Sequence, residues 1–193
     1  LYSRHESVCL RRDLTVPFTP PPAKIPLEFR QLRPDDDLAL IADEPGLSAE
    51  VRQLRTDQRW MLSCDLPAPW VALDPDGVVC LMAWWLTARD NDRIKAVWGD
   101  WLPQLKPDEA IIEGIYTAES HRGLGIMAVA ATEISARAAG PETKWGLGFI
   151  LLSNKSSRRG GEKAGWTPYL RREERWVLFR RRVTFTPYED RGD

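Results

Sequence analysis

Two glycines, Gly123 and Gly125, form a short loop between an apolar run and a segment with helical periodicity. Glycine lets the backbone turn sharply and approach a ligand closely, and the first N–H groups of a helix have no partner within it. Such donors, together with the positive end of the helix dipole, can hold a phosphate or pyrophosphate. Arg122 adds a charged donor at the same place. The loop therefore predicts a site for a ligand that carries phosphate.

The spacing Gly123-x-Gly125-x-x-Ala128 also fits the fingerprint of dinucleotide-binding folds. Those folds place the fingerprint after the first strand of a parallel sheet and an acidic residue at the end of the next strand. Here a predicted β meander comes before the loop, and Glu142 lies ahead of the next strand. A Walker-type loop is excluded because no Gly-Lys-Ser/Thr follows. The phosphate site is therefore predicted to be of another kind.

A carboxylate interrupts the apolar strand predicted before this loop. Glu113 follows Ile111 and Ile112 and precedes Gly114. Burial among apolar residues raises the pKa of a carboxyl group toward neutrality, where it serves well as a general base. The glycine after it can mark a β-bulge that frees backbone donors. Glu113 is therefore the leading candidate for a general base, and a solvated or ion-paired strand residue is the alternative.

Tryptophan is unusually frequent, with nine residues in the chain. Four of them, Trp84, Trp85, Trp98 and Trp101, fall in a predicted hairpin and in the long connection after it. Large aromatic side chains either pack in a core or line the wall of a ligand pocket. The structural interpretation of these four tryptophans is core packing, and the functional interpretation is that they line a pocket for an acyl or acceptor group.

Charge is unevenly distributed along the chain, although the net charge is only −1. Residues 34–120 hold 17 acidic and 7 basic side chains, whereas residues 154–183 hold 3 acidic and 10 basic ones. Duplex binding needs one broad basic face, so the acidic part argues against a nucleic-acid partner. The basic part indicates either solvated faces or a surface that receives a polyanionic cofactor.

Composition narrows the class of protein further. The 193 residues fit one domain with a core of its own, and no apolar run approaches the roughly 18 residues of a membrane span. Three cysteines, Cys9, Cys64 and Cys80, lack metal-ligand spacing and cannot all pair. With no signal-peptide pattern, they predict reduced thiols in a cytoplasmic protein without a metal site or a membrane partner.

The order of predicted elements indicates an α/β fold with a mixed sheet. Five prolines between Pro17 and Pro26 predict that residues 1–27 form an N-terminal arm and linker, followed by one domain at 28–186 and a tail at 187–193. A short strand is predicted at 7–14 within the arm, and further strands at 29–33, 70–73, 78–86, 110–117, 145–152, 176–179 and 183–185. Helices are predicted at 38–42, with N-cap candidates at 34–37, and at 48–62, 127–139 and 154–164, with a short one within 87–108.

The glycine loop resembles motif A of the GNAT family of acyl-CoA-dependent N-acyltransferases, written R/Q-x-x-G-x-G/A. Here it reads Arg122-Gly123-Leu124-Gly125-Ile126-Met127, after the approach segment 115–121. A second segment, Asn154-x-x-Ser157 followed by Glu162-Lys163-Ala164-Gly165-Trp166, is similar to the family's N-x-x-(A/S)…E-K-x-G-F signature. Both segments occur in the expected order with an apolar strand between them, and the resemblance extends over much of residues 28–185.

The resemblance implies a GNAT fold whose mixed, mostly antiparallel sheet splays between its fourth and fifth strands. It implies acetyl-CoA or another acyl-CoA as cosubstrate and a primary amine of a small molecule or peptide as acceptor. The resemblance does not decide between a monomer and a homodimer. The implied cofactor-binding residues are Ile115, Tyr116, Thr117, Arg122, Gly123, Leu124, Gly125, Ile126, Met127, Asn154 and Ser157.

Two positions depart from the family's pattern. Met127 stands where glycine or alanine is usual beside the phosphates, and Gly161 stands where many relatives have a tyrosine that protonates the departing thiolate. Tyr116 is one candidate to replace that tyrosine, beside Tyr169, Ser153, Ser157 and water. Glu109 is the alternative base, because its distance from the loop matches that in some histone-type relatives. The departures keep open a catalytically weak module that binds or senses acyl-CoA within a larger assembly.

Overall fold

The computed structural model describes residues 2–178 and 180–189, which form one mixed sheet with helices on both faces. The strands are β1 (Tyr2–Asp13), β2 (Glu28–Gln31), β3 (Trp70–Leu73), β4 (Val79–Thr87), β5 (Glu109–Thr117), β6 (Trp145–Leu151), β7 (Thr167–Val177) and β8 (Arg180–Pro187), and the helices are α1 (Ala49–Ser63), α2 (Asn91–Trp98), α3 (Ile126–Ala138) and α4 (Lys155–Lys163). The strand order is β2-β3-β4-β5-β6-β1-β7-β8. Only the β5–β6 pair is parallel among the described strands. The predicted α/β class with a mostly antiparallel mixed sheet is confirmed.

Local signals fixed several boundaries. The Ser48 hydroxyl accepts a hydrogen bond from the Val51 N–H at 3.2 Å and so caps α1 at its predicted start. The Asp74 carboxylate accepts from the N–H groups of Asp76 and Val78, which builds the turn between β3 and β4. The α-helix predicted at 38–42 is wrong, because a single 3-10 turn forms there, at Ala39–Ile41.

The N-terminal strand is an interior strand of the sheet. β1 pairs antiparallel with β6 along one edge and with β7 along the other. Val8, Cys9 and Leu10 are buried in the core. Residues 2–13 are therefore part of the sheet rather than an appended arm, since both edges of β1 are hydrogen-bonded. Of the predicted tail, Pro187 belongs to β8, and residues 190–193 lie outside the described residues.

β7 and β8 are much longer than the predicted strands at 176–179 and 183–185, of which Phe179 lies outside the described residues. Solvated faces were one interpretation of the charge in this segment, yet two side chains of β7, Arg171 and Glu173, form ion pairs with β1. Arg4 contacts Glu173 at 2.6 Å, and Arg171 pairs with Glu6. Cross-strand ion pairing thus accounts for one basic side chain of the segment, Arg171.

Two hydrophobic clusters lie on opposite faces of the sheet. One contains Met61 of α1 and Ile94 of α2, packed with Trp84 and Ile111. The other joins buried residues of α3 to Leu10, Trp85, Ile112, Ala164 and Trp166. Trp84 and Trp85 are therefore core residues, as the structural interpretation of the tryptophans predicted. Among the described residues, no helix is both long and apolar enough to cross a membrane.

Gly146 on β6 makes room for the Trp166 ring, and its replacement is expected to be costly. A Cβ at Gly146 would lie 2.8 Å from the ring, which sits in a packed core. Gly146→Ala should lower the free energy of unfolding by about 1–3 kcal/mol because the core is overpacked. Urea unfolding measures the change. Gly140→Ala is the matched control, since a Cβ there meets no atom within 4 Å; equal effects of the two substitutions would contradict the packing.

Candidate functional site

The sheet opens between β5 and β6. Their parallel pairing covers only three positions, from Glu109↔Trp145 to Ile111↔Leu147, and beyond Ile111 no β6 residue faces β5 in the ladder. This is the splay predicted between the fourth and fifth strands of the domain at 28–186. It falls between β5 and β6 because β1 lies before that domain in the chain and raises each strand number by one. A cavity of about 690 Å³ fills the gap. Its walls come from both strands and from the helices on both faces.

A β-bulge at Gly114 shapes the β5 side of the cavity. Gly114 has a φ of 63°, and the pairing with β4 shifts register there, from Trp84↔Glu113 to Met82↔Tyr116. One extra residue on β5 reverses which face the following side chains point to. Ile115 consequently packs with the α3 cluster and Tyr116 with the α1 cluster. The bulge predicted from the glycine is present.

The glycine loop lies where β5 ends and α3 begins. Gly123 and Gly125 both have left-handed backbone, with φ of 77° and 79°, and Gly125 is the N-cap of α3. Among the described residues, none accepts a hydrogen bond from the N–H of Gly123, Leu124, Gly125 or Ile126. A Cβ at Gly123 would meet no described atom within 4 Å, whereas Ile126 is buried. Four N–H groups without a partner among the described residues therefore lie at the positive end of a helix.

The proline-rich segment braces this loop from one side. The Lys24 N–H donates to the Leu124 carbonyl at 2.8 Å. A Cβ at Gly125 would approach the Pro22 carbonyl oxygen and the Ala23 α-carbon at 3.5 Å. The segment thus holds the loop through its carbonyl side and leaves the N–H groups free.

The predicted cofactor-binding residues divide into three sets. Ile115, Tyr116, Met127, Asn154 and Ser157 line the cavity. Gly123, Leu124, Gly125 and Ile126 supply the loop described above. Thr117 ends β5, and its carbonyl accepts from Arg122 Nε at 3.3 Å, so this guanidinium folds back and also contacts Glu119.

The start of α4 faces the same cavity. Asn154 caps the helix, its Oδ1 accepting from the Ser157 N–H at 3.0 Å, so the Asn154 amide nitrogen keeps its donors for another partner. Met127 lies over Gly160, where a Cβ would be 2.6 Å from its sulfur. That close contact between α3 and α4 explains why α4 tolerates a glycine in its interior.

Gly161 also lines the cavity, and Leu10 of β1 fills the space beside it. A Cβ at Gly161 would lie 2.4 Å from Leu10 Cδ1. A side chain at 161 would therefore require the end of the Leu10 side chain to move. The space beside Gly161 is thus taken by an apolar side chain of the interior strand β1.

Glu113 points into the cavity wall from β5. Its Oε1 is buried and has no hydrogen-bond partner among the described residues. Burial raises the pKa of Glu113 to about 7, while the positive charge of Arg172 and the N–H groups of Gly114 and Phe149 oppose the rise. Arg172 itself is buried, 3.6 Å over the Trp101 ring, and donates to Ser7 and to the Trp101 carbonyl. Glu113 is thus a carboxyl that exchanges its proton near neutral pH.

The same pKa shift means that ionised Glu113 lowers the free energy of unfolding at high pH. A carboxyl whose folded pKa is raised binds its proton more tightly in the folded state, so stability falls as pH rises from about 4.5 to 7. Glu113→Gln should therefore stabilise the protein at pH 8 by up to about 3 kcal/mol, and hardly at all at pH 4. Urea unfolding of both proteins at the two pH values measures the difference; a gain independent of pH would contradict the buried charge.

Glu109 occupies a different setting. It begins β5 and is buried, and its Oε2 accepts from the Lys106 N–H at 3.0 Å while its Oε1 lies 3.4 Å from Lys106 Nζ. It does not line the cavity. Glu109 thus stabilises the turn before β5. It is an ion-paired strand residue, which was the structural alternative to a catalytic base.

Tyr116 lines the cavity but its hydroxyl is engaged on the α1 face. It donates to Glu119 Oε1 at 2.6 Å and accepts from Arg55 Nε at 3.2 Å, and Arg55 also pairs with Glu119 at 2.7 Å. Burial raises the pKa of Tyr116, and the bond to Glu119 adds to the rise. A proton held this firmly is poorly placed for transfer.

The end of the cavity opposite the loop is aromatic. Trp60 and Trp98 meet edge to face at 6.3 Å, and Leu54, Val97 and Trp101 continue the wall. Trp60 is 45% exposed and Leu54 38% exposed, so this end opens to solvent. Asp57 and Arg181 are its charged residues. Trp98 and Trp101 thus line the pocket.

Sequence reasoning missed three residues that shape the site: Leu10, Gln58 and Arg172. Trp166 was identified only as part of the second motif, without a role in the site. Gln58 carried a signal, since it is a polar residue within the apolar stripe of α1. Leu10 and Arg172 could not be found by pattern, because strands distant along the chain bring them to the gap.

Comparison with solved structures finds chains of the same fold. A Drosophila protein is 12% identical with a TM-score of 0.55, over 93% of this chain and 52% of its own. A GCN5-related N-acetyltransferase from Sphaerobacter thermophilus is 17% identical with a TM-score of 0.53, over 91% and 52%. A GNAT-family acetyltransferase from Colwellia psychrerythraea is 11% identical with a TM-score of 0.52, over 98% and 57%.

This chain therefore spans about half the length of the structures it matches. No family model and no curated protein matches its sequence. At such identities the likeness shows the fold, and the fold is the one that the two sequence motifs predicted.

Proposed function

We propose that this chain, which has the GNAT fold, is an N-acyltransferase that moves an acyl group, in the simplest case acetyl, from acyl-CoA to a primary amine of a small molecule or peptide. One observation carries the proposal: the gap between β5 and β6 is lined both by Glu113, a buried carboxyl with a pKa of about 7, and by Met127 of α3, the helix that begins at the glycine loop. We place the anion site at that loop, and the channel for an extended chain and the base in the gap.

The residues present fit acyl-CoA. The diphosphate would rest on the N–H groups from Gly123 to Ile126, where positive φ at both glycines keeps side chains out of the way. The pantetheine arm would lie along the edge of β5 at 115–117, which has no neighbour on the β6 side, and pair with it as an added strand does. The amide nitrogen of Asn154 is available as a further donor.

The chemistry assigned to Glu113 is proton removal. An amine attacks as the neutral species, so a base must take its proton while the nitrogen bonds to the acyl carbon and the carbon–sulfur bond breaks. The sulfur leaves with the electron pair and then needs a proton. Gly161 offers none and Tyr116 is bonded to Glu119, so we assign this step to Ser157, which lines the cavity, or to water.

A second candidate is a catalytically weak module that binds acyl-CoA. Gly161 favours it, since this position provides no acidic hydroxyl and Leu10 occupies the space beside it. Thiol release on mixing acetyl-CoA with a panel of primary amines separates the two, and acyl chain length is varied in parallel. Turnover supports the transferase, whereas tight CoA binding without turnover across the panel supports the module. A mass measurement of CoA species retained on purification identifies the acyl group.

A further inference from the structure

Three side chains that line the cavity each have a buried polar atom without a partner among the described residues. They are Gln58 Oε1, Glu113 Oε1 and Trp166 Nε1. Buried polar atoms are nearly always hydrogen-bonded to protein or to ordered water, so an unpartnered one on a cavity-lining residue is a candidate partner for a ligand. Two of the three, on Gln58 and Glu113, are acceptors.

The orientation of Gln58 is fixed by the bulge. Its Nε2 donates to the Gly114 carbonyl at 3.1 Å, and a carbonyl can be satisfied only by the amide nitrogen, so the oxygen must point away. Gly114 directly follows Glu113, so one bulge anchors both acceptors. Gln58 is only 5% exposed, and its oxygen cannot turn to solvent without breaking this bond.

We infer that Gln58 Oε1 and Glu113 Oε1 together accept hydrogen bonds from the nitrogen of the acceptor substrate, which is a primary amine carried on an apolar or aromatic body. The inference rests on the proposed function for its chemistry. Gln58 is a positioning residue that holds the nitrogen beside the base. The body of the substrate follows from the wall at the open end, where Leu54, Trp60 and Trp98 are exposed to it.

The number of hydrogen-bond donors on the substrate distinguishes an amine nitrogen from other nucleophiles. A primary amine carries at least two N–H groups, so it satisfies both oxygens, whereas an alcohol or a tertiary amine carries at most one donor. The second oxygen would then stay buried and unpaired, which typically lowers affinity tenfold or more. The pair of acceptors thus favours an amine that carries two or more N–H groups, as a primary amine does, over an alcohol or a tertiary amine.

The test compares binding of 2-phenylethylamine with binding of its N,N-dimethyl derivative, which has one N–H even when protonated. Isothermal titration is done without acetyl-CoA, so the result does not depend on turnover. The wild type should prefer the primary amine about tenfold or more. Gln58→Leu should reduce this preference to about twofold, while CoA affinity stays unchanged.

Gln58→Glu separates positioning from structure. Gln58→Leu removes both the amide donor and the acceptor oxygen, whereas Gln58→Glu keeps an acceptor oxygen and, when protonated, an O–H donor for the Gly114 carbonyl, so Gln58→Glu should keep the preference. Gln31→Leu, an exposed residue of β2, is the control and should change nothing. The inference is overturned if the wild type binds the two amines equally or binds neither, or if Gln58→Leu retains the preference.

Failure of the proposed function has a separate readout. Thiol release from acetyl-CoA in the presence of 2-phenylethylamine reports acyl transfer. A preference for the primary amine without thiol release would support the nitrogen site and contradict the transferase activity. Thiol release with an unchanged preference in Gln58→Leu would support the transferase activity and contradict the role of Gln58.

Discussion

Gly125→Asp is expected to weaken CoA binding about 100-fold or more, whereas Gly125→Asn weakens it by less than about tenfold. The two side chains have nearly the same shape, and both tolerate the left-handed backbone at this position better than other residues do. Only aspartate places a negative charge beside the diphosphate. Like charges about 5 Å apart at an effective dielectric constant near 20 repel by a few kcal/mol. Isothermal titration with CoA measures both affinities.

Gly46→Asp serves as the control for backbone strain. Gly46 also has positive φ, at 86°, and a Cβ there meets no atom within 4 Å, but it lies in the connection before α1. Its CoA affinity should match the wild type. Equal affinities for Gly125→Asp and Gly125→Asn would show that charge at the loop is irrelevant, and the diphosphate would have to be placed elsewhere.

Glu113→Gln is expected to lower kcat by about 10²- to 10⁴-fold, the usual contribution of a general base. Glutamine has the size of glutamate but cannot take a proton, so CoA affinity should stay within about twofold. In the wild type, kcat should rise with pH through about 7 as the carboxyl ionises, and the variant should lose this limb. Stopped-time assays of thiol release from pH 5.5 to 9 measure both effects.

Glu109→Gln is the matched control, because it makes the same change on the same strand outside the cavity. Its kcat should stay within about threefold of the wild type, although the loss of the Lys106 contacts can lower thermal stability. A Glu113→Gln enzyme with the wild-type rate, or a Glu109→Gln enzyme that loses as much, would remove Glu113 from the role of base.

The elements that sequence predicted well are those set by neighbours in the chain. Ser48 caps α1, the Asp74 turn joins β3 to β4, and the glycines at 123 and 125 separate β5 from α3. The position of β1 was not predictable in this way. Its partners are β6 and β7, more than 130 residues away, and the prolines after it indicated a linker without showing where the preceding strand lies.

The candidate site shows the same division. Glu113 was predicted because a carboxylate in an apolar strand contradicts local patterning, and Gln58 carried the same kind of signal on α1. Leu10 beside Gly161 and Arg172 near Glu113 gave none, since each reaches the gap through strand pairing across the sheet. The lost tyrosine at 161 was visible in the sequence, but the contact of Gly161 with Leu10 was visible only once β1 was placed.

The acyl-CoA site is tested most directly by titrating the ¹⁵N-labelled chain with CoA and following its amide resonances. Saturable shifts should be largest at Gly123, Leu124, Gly125 and Ile126, whose N–H groups gain a partner, and should extend to 115–117 on the edge of β5. Absence of saturable binding, or shifts that avoid both the loop and the gap between β5 and β6, would contradict the site.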